Sequence, residues 1–401
     1  MPLGWIDFSK SDRNKVLSVL DRLSEDGTLD ELGIAPIRDG YANIFFPGTS
    51  TLQSRAKYFL IVPYALKELE CSNETDPEKV MRILDELERD CGKQLLAYRK
   101  DTDGIIGKQS IRHDSWVKST PSDLYWAGLR YYGIFTGGKL SLSEYVRTMC
   151  SLKMQKTTIS GLGKLGNKND KYEDDCDDKD AGDLFRMQFW NIPTYNKEWK
   201  KNLKIKLTKD EGAFLKRQII QSYPDSMMAY ILRNNLTKVI ESDTFVDLFS
   251  LRRLFPKEMQ EDLIAARDFS WFLYIIRIIY NMIISDGENE KANDEWKRMK
   301  SELRDCADVD LDMIFRRLQI SDKGLCVFLR REQRLMLAGD LEGMKKEIIK
   351  REECVKPGRA KTKHPGEFDV KAWYGGDWLD YRFGTAKVII KDIFESEGSH
   401  A

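Results

Sequence analysis

The chain has 401 residues and carries 65 basic side chains against 65 acidic ones, so its formal net charge is zero. A neutral chain lacks the whole-molecule attraction that draws basic proteins to nucleic acid or anionic membranes, so any basic binding site has to be local. A composition of 41% hydrophobic and 32% charged residues predicts a folded globular protein and excludes disorder of the chain as a whole.

Side chains suited to catalysis or metal binding are few. The sequence holds three histidines, His113, His364 and His400, and seven scattered cysteines without a C-x-x-C motif. Few side chains are therefore available to act as a histidine base or as the histidine ligands of a zinc site. We predict no catalytic residue, metal or cofactor. The apolar stretch 271–284 is too short to span a bilayer, and residues 1–12 lack a signal-peptide pattern, so a cytoplasmic protein is expected.

Helices dominate the predicted N-terminal domain. A capping serine followed by an apolar face predicts a first helix over residues 9–23. The segment 30–51 mixes Gly, Pro and Asp with aromatic residues and predicts packed but irregular structure. The next apolar stretch predicts a helix kinked at Pro63. Further helices are expected after Asp76 and Thr120, because each precedes a proline at the favoured first helical position.

A flexible charged linker is predicted over residues 152–183, where a lysine- and glycine-rich half is followed by an acidic half. It divides the chain into an N-terminal helical domain, residues 1–151, and a C-terminal helical domain, residues 184–401. Early in the second domain, charged and apolar residues alternate over 201–208 and predict one short strand. Thr208 then precedes a helix with a glutamate at the position of a capping box.

The longest helical candidate lies in the C-terminal domain. Residues 256–285 become apolar nearly all round, apart from Arg277 and Asn281, which predicts a central buried helix. The charged amphipathic segments 289–305 and 322–350 predict helices that cover it. The predicted fold is therefore mainly α and two-lobed, with at most a few short strands.

Two basic clusters stand out from the neutral background. Residues 350–363 hold six basic against two acidic side chains, and residues 196–217 hold eight against three. The first cluster lies on a segment that prolines and glycines keep from being helical, and Trp373, Tyr374 and Trp378 follow it. Basic side chains bind phosphates and aromatic rings stack on bases, whereas the alternative is a solvated surface loop. The pattern favours nucleic-acid contacts by Arg359, Lys361 and Lys363, with Trp373 or Tyr374 stacking on a base.

A second polar cluster is predicted near the N-terminal turn, from Arg38, Arg55 and Lys57. The last two lie on an otherwise apolar segment, so their charges need partners. One interpretation is contact with a bound anion. The alternative is an internal salt bridge to a carboxylate such as Asp39.

Patterns for metal sites are weak. An acidic residue two positions before a lysine, as in metal-dependent nucleases, occurs at Glu198 and Glu295, but neither lies on a predicted strand beside a further acidic ligand. Asp308, Asp310 and Asp312 resemble the start of a calcium loop that lacks its glycine and its final glutamate. Helix capping by Asp308 or Asp310 is therefore expected instead.

Four segments stand out in the sequence: GWIDFS at 4–9, the block 30–64, LTKDEGAFLKRQII at 207–220 and DWLDYRFGTAKVIIKDI at 377–393. Together they resemble a bacterial family catalogued as domain of unknown function 6361, and the similarity runs along nearly the whole chain. Phe383 is a mild departure, because this family more often has tryptophan there. The resemblance implies an association with helicases and nucleases in genome-defence islands.

The resemblance and the basic clusters together lead to one expected function and two alternatives. We expect a non-enzymatic accessory subunit of a bacterial defence system against phage or foreign DNA, which binds nucleic acid and helicase or nuclease partners. The first alternative is a metal-dependent nuclease of the same kind of system. The second is a pure interaction scaffold in which the region 289–350 docks a partner helix.

Overall fold

The structure is a computed structural model that describes residues 30–98, 101–163 and 189–398, with side chains up to residue 156 in the second range. The fold is mainly helical, which confirms the predicted fold class, and no β-strand occurs in these ranges. The predicted helix over 9–23 lies outside the described residues. The α-helices are α1 (Ala35–Phe45), α2 (Tyr58–Glu70), α3 (Pro77–Ala97), α4 (Lys108–Arg112), α5 (Pro121–Tyr131), α6 (Leu142–Gly163), α7 (Lys209–Ser222), α8 (Met227–Arg233), α9 (Phe245–Ser250), α10 (Lys257–Ile284), α11 (Glu290–Met299), α12 (Leu303–Ala307), α13 (Leu311–Arg317), α14 (Lys323–Ala338), α15 (Leu341–Val355) and α16 (Phe383–Ser396).

Helix starts follow the capping signals of the sequence. The Thr120 and Thr208 side chains each form a capping box, with Asp123 and Glu211 respectively. Asp310 caps α13, because its carboxylate accepts a hydrogen bond of 2.8 Å from the backbone N–H three residues later. These side chains satisfy N–H groups that a helix start leaves without an intrahelical acceptor. The caps predicted at Thr120, Thr208 and Asp310 are confirmed, and α2 contains Pro63 within the helix.

The prediction of irregular structure over 30–51 is wrong, because α1 occupies the middle of that segment. Its start is fixed by Asp30, whose carboxylate accepts hydrogen bonds from the backbone N–H groups of Ile34 and Ala35 at 2.7 and 2.6 Å. One side of the helix is fully buried and includes Ile37 and Tyr41. Burial of this apolar stripe outweighs the low helix propensity of the glycine and proline residues.

The predicted strand over 201–208 is also wrong. Leu203, Ile205 and Leu207 are buried, so the alternating pattern does report burial at every second residue. No neighbouring strand pairs with this segment in the described chain, where the recorded β-pairing is an isolated bridge between Phe135 and Trp190. The segment contains a turn at 201–202 and a bend at 205–206, so its period of two in burial arises without a strand.

The linker prediction is partly corrected. Helix α6 continues to Gly163, so residues 152–163 are helical. Lys153 anchors this part, because its ammonium group donates a hydrogen bond of 2.8 Å to the carbonyl oxygen of Ser72. The remaining predicted linker residues, 164–183, lie outside the described residues, so the predicted domain boundaries stay predictions.

The described residues form two compact units, and the first comprises residues 30–41 and 249–381. Helix α10 is its central element, and α11, α12 and α15 pack against it. Most of its residues from Phe269 to Ile284 are buried. The predicted central helix is therefore confirmed, and α11 and α15 cover it as predicted, whereas α14, the first half of the segment 322–350, packs on α12, α13 and α15.

The second unit combines the described residues between 42 and 248 with residues 382–398. In it, α2 packs on α3 and α5, and α7 packs on α8 and α16. An aromatic group that includes Trp126, Tyr145 and Trp190 fills part of its core. None of the helices in the described ranges has both the length and the apolar character needed to cross a membrane.

Candidate functional site

The candidate site is a loop of residues 356–381, called here the aromatic–basic loop, which lies along α10 in the first unit. Asn281 of α10 is fully buried and holds the loop at Tyr374. Its side-chain amide donates to the Tyr374 carbonyl at 2.9 Å and accepts from the Tyr374 N–H at 2.8 Å. The Ser270 hydroxyl accepts a hydrogen bond of 2.9 Å from the Leu379 N–H. Polar residues that interrupt the apolar surface of α10 thus fix the loop backbone, because buried polar groups require partners.

The start of the loop is held by Glu352 at the end of α15. This buried carboxylate accepts backbone hydrogen bonds from Lys361 at 3.1 Å and Thr362 at 2.9 Å. It also accepts a hydrogen bond of 2.7 Å from the hydroxyl of Tyr280 on α10. Burial, followed by the charges of Glu31 and Glu352, raises the pKa of Tyr280 above its usual range, so the hydroxyl remains a donor. Both ends of the loop are therefore tied to the central helix.

The three basic residues predicted to contact phosphate differ in their surroundings. Lys361 is mostly buried, with its ammonium group 3.0 Å from a carboxylate oxygen of Glu31. Lys363 is half exposed and lies 3.7 Å from Glu353. Arg359 is exposed and makes no ion pair with any described residue. Arg359 and Lys363 are thus accessible to a ligand, whereas Lys361 is engaged inside the protein.

The second half of the loop carries an aromatic platform, defined here as Tyr274, Trp373 and Trp378. The rings of Trp378 and Tyr274 are stacked, with centroids 4.0 Å apart and an interplanar angle of 19°. Trp373 lies 6.0 Å from Tyr274, and its indole N–H donates to the Gly376 carbonyl at 2.9 Å. The ammonium group of Lys291 is 4.3 Å from the Trp373 ring centroid, close enough for a cation–π contact.

The two predicted stacking residues do not have equivalent positions. Tyr374 is half buried, the Lys361 ammonium group lies 4.0 Å from its ring centroid, and Asn281 binds its backbone. Trp373 is half buried within the platform, whereas Trp378 is 36% exposed. The sequence placed Trp378 near the basic segment but gave no sign of Tyr274, because that residue comes about a hundred positions earlier on α10.

The predicted cluster of Arg38, Arg55 and Lys57 is divided between the units, since Arg38 belongs to the first and the other two to the second. The Nε atom of Arg55, which is 8% exposed, lies 3.0 Å from both carboxylate oxygens of Asp392. Its Nη1 atom is 3.2 Å from Asp101.

The Lys57 ammonium group is likewise 2.6 Å from a carboxylate oxygen of Glu211. Internal salt bridges, the alternative interpretation, are therefore observed for Arg55 and Lys57. The partners differ from the suggested Asp39, which pairs with Arg38 at 3.1 Å. Their predicted contact with a bound anion stays a prediction.

The nuclease-like patterns lie in surface ion pairs. Glu198 pairs with Lys201, and Lys200 is 2.8 Å from Glu68. Glu295 pairs with Arg298 and accepts a hydrogen bond of 2.9 Å from the Tyr274 hydroxyl. Across residues 30–98, 101–163 and 189–398, no group of three or more His, Cys, Asp or Glu side chains is arranged to hold a metal ion.

The fold and this surface define a helical protein whose long central helix carries an aromatic and basic loop. Residues 1–154 match the model described as Family of unknown function (DUF6361), so the predicted resemblance is confirmed over that part of the chain. Neither a curated protein nor a solved structure matches the chain. The aromatic–basic loop lies outside the matched residues, so its role has to be argued from its own geometry.

Proposed function

We propose that the protein is a non-enzymatic subunit that binds single-stranded nucleic acid through the aromatic platform. The observation that carries this proposal is the exposed indole of Trp378, which is held flat against Tyr274 at 4.0 Å. A ring fixed in this way loses little conformational freedom when a base stacks on it. Stacking of one base on an aromatic side chain contributes about 1–3 kcal/mol.

Cations of α11 and of the aromatic–basic loop supply phosphate contacts. Lys291 of α11 lies over Trp373, is about half exposed and is 3.4 Å from a carboxylate oxygen of Asp377. Arg359 and Lys371 are exposed and make no ion pair with a residue that the structure describes. Because the whole chain is neutral, these local cations contribute only a modest attraction that weakens as salt is added.

The geometry favours single strands over duplexes. The faces of paired bases are covered by their neighbours within a duplex, so an aromatic platform reaches them only when a strand is unpaired. Stacking also tolerates any base, because each presents a π-face. We therefore expect binding with weak sequence preference.

The first prediction concerns Trp378. Trp378→Ala weakens binding of a fluorescently labelled oligo(dT) strand by about tenfold, because one stacking contact is lost. The measurement is fluorescence anisotropy at two salt concentrations, with a duplex of equal length as a second ligand. The matched control is Tyr131→Ala, which removes an exposed ring stacked on Tyr223 at 5.6 Å in the second unit. Equal affinity of wild type and the Trp378 variant for oligo(dT) contradicts the proposal.

For the wider role, we propose an accessory subunit of a bacterial defence system against phage or foreign DNA, acting with a helicase or nuclease partner. The family resemblance supports this role by implication. Co-purification from native cells with and without nuclease treatment tests it. Retention of a partner by a protein that binds no oligonucleotide favours the pure scaffold. Cleavage of plasmid or RNA by the purified chain with magnesium or manganese favours the nuclease.

A further inference from the structure

A second group of cations and aromatic rings lies in the first unit, beside the N-terminal half of α10. The guanidinium carbons of Arg252 and Arg267 are 4.5 and 4.2 Å from the ring centroid of Phe249. The guanidinium carbon of Arg267 is also 5.2 Å from the ring centroid of Trp271. All three distances are within the range of a cation–π contact. These four residues alternate cation and ring, and they are called here the cation–aromatic ladder.

The two arginines of the ladder are not equivalent. The charge of Arg267 is compensated, because its Nε and Nη2 atoms are 2.8 and 2.6 Å from a carboxylate oxygen of Asp268. Arg252 is partly exposed, and its side chain makes no ion pair or hydrogen bond with a residue that the structure describes. A guanidinium that stacks through its flat face leaves the N–H groups at its edge free to donate. Arg252 is therefore an open cation whose position is fixed by the ring of Phe249.

Trp271 adds an open aromatic surface to the ladder. Its ring is partly exposed. Its indole N–H has no acceptor in the described chain, yet this atom is not completely shielded from solvent. Trp373 differs in this respect, because its indole N–H is bound by the Gly376 carbonyl. Trp271 is therefore free to stack on a base and to donate a hydrogen bond to it or to its backbone.

The ladder and the aromatic platform lie on one face of α10. Arg267, Trp271 and Tyr274 are separated by four and three positions, so their side chains start from the same side of the helix. From the first to the last they span about 10 Å, at a rise of about 1.5 Å per residue. Neighbouring nucleotides of a stacked strand are about 3.4 Å apart, so this span corresponds to about three nucleotides.

We propose that a single strand bound at the aromatic platform continues along α10 onto the cation–aromatic ladder. Trp271 takes a further base, and Arg252 binds a phosphate of the same strand through the free edge of its guanidinium. The ligand is therefore a single strand of several nucleotides rather than a free nucleotide. This inference rests on the proposed function, because it extends the same site.

The second prediction compares labelled oligo(dT) strands of two and of twelve nucleotides by fluorescence anisotropy over a range of salt concentrations. Arg252→Ala weakens binding of the longer strand by about fivefold at about 0.1 M salt and lowers the slope of log affinity against log salt by about 0.7, because one phosphate contact is lost. Binding of the shorter strand, which depends on Trp378, stays unchanged. Arg334→Ala is the control, since this exposed arginine of α14 also lacks an ion pair among the described side chains.

Two further variants separate ligand contacts from packing. Arg252→Lys keeps the charge and therefore keeps the salt slope of wild type, whereas a role in packing alone predicts the same loss for lysine as for alanine. Trp271→Leu weakens binding of the longer strand alone, by about tenfold, because one stacking contact is lost. Near-ultraviolet circular dichroism checks that the remaining aromatic rings keep their packing in each variant.

The outcomes distinguish this inference from the proposed function. Equal affinity of wild type and the Arg252→Ala variant for the longer strand, or equal losses in the alanine and lysine variants, overturns the ladder as a binding surface. Binding that still depends on Trp378 supports the proposed function in that case. Binding that depends on Arg252 but not on Trp378 overturns the platform as the site and retains the ladder contact. Failure of wild type to bind either strand overturns both.

Discussion

Glu332 on α14 is fully buried, and neither of its carboxylate oxygens has a hydrogen-bond partner in the described chain. Burial, with a smaller contribution from Glu347, raises its pKa from 4.5 to about 9. The side chain is therefore protonated in the folded protein at neutral pH, whereas in the unfolded chain it is ionised. The folded state binds the extra proton between these two pKa values, so stability falls as pH rises through that window, by about 1.4 kcal/mol per pH unit.

The third prediction follows from this proton. Glu332→Gln removes the pH-dependent contribution of this side chain to stability. The free energy of unfolding of the variant therefore rises relative to that of wild type between pH 5 and pH 8, by about 4 kcal/mol at most. Urea unfolding at the two pH values measures the difference. Because each protein is compared with itself at the two pH values, the constant cost of burying the glutamine amide cancels. Glu342→Gln is the control, because that carboxylate is exposed and pairs with Lys345 at 2.8 Å. A difference that stays constant with pH contradicts the assignment of a protonated Glu332.

Residue types and spacing alone revealed part of the candidate site. Arg277 and Asn281 were visible as interruptions of an apolar run, but their partners come about a hundred residues later. Local patterns carry no information about such distant contacts. The basic character of 350–363 was visible as well, whereas the pairing of Lys361 with Glu31 was not. A count of charges therefore indicates where a site lies but not which charges remain available.

At the scale of elements, the residue at which a helix begins was easier to predict than the surface on which the helix packs. The capping pairs at Thr120 and Thr208 act within four residues, so the sequence contains the whole interaction. The failed predictions at 30–51 and 201–208 both depended on tertiary contacts. In the first, burial of a short apolar stripe created α1. In the second, an alternating segment became buried without a neighbouring strand.

The fourth prediction tests the capping box of α7. The Thr208 hydroxyl accepts from the Glu211 N–H at 3.3 Å, and the Glu211 carboxylate accepts from the Thr208 N–H at 2.7 Å. Thr208→Ala lowers the free energy of unfolding by about 1 kcal/mol, because an exposed N-terminal donor loses its acceptor. Thr208→Ser is the control and retains wild-type stability within about 0.5 kcal/mol, since serine caps equally well. Equal loss in both variants, measured by chemical denaturation, indicates that the threonine methyl group rather than the cap stabilises the helix.

At the scale of the molecule, each unit combines segments that are distant along the chain. Composition can divide a sequence only into consecutive segments, so it does not reveal that distant segments share one unit. In the second unit, α16 returns from the C-terminal part of the chain and packs on α7. Asp392 of α16 accepts from Arg55 and from the backbone N–H of Ala56 at 2.8 Å. Residues 337 positions apart are thereby joined in the interior.

The fifth prediction concerns this connection. Asp392→Ala leaves the Arg55 charge buried with only Asp101 opposite it and removes the acceptor of a backbone N–H, so the free energy of unfolding falls by about 3–5 kcal/mol. Asp101→Ala removes a more exposed partner of the same arginine. Its loss of stability is therefore smaller than that of Asp392→Ala, by about 2 kcal/mol or more. The double variant Arg55→Met with Asp392→Leu removes both buried charges and recovers part of the loss, because the carboxylate then left without its partner, Asp101, is partly exposed, although the Ala56 N–H still lacks an acceptor. Guanidinium unfolding followed by tryptophan fluorescence compares the four proteins. Equal losses for the two aspartate variants would contradict the expectation that the more deeply buried partner of Arg55 is the more costly one to remove.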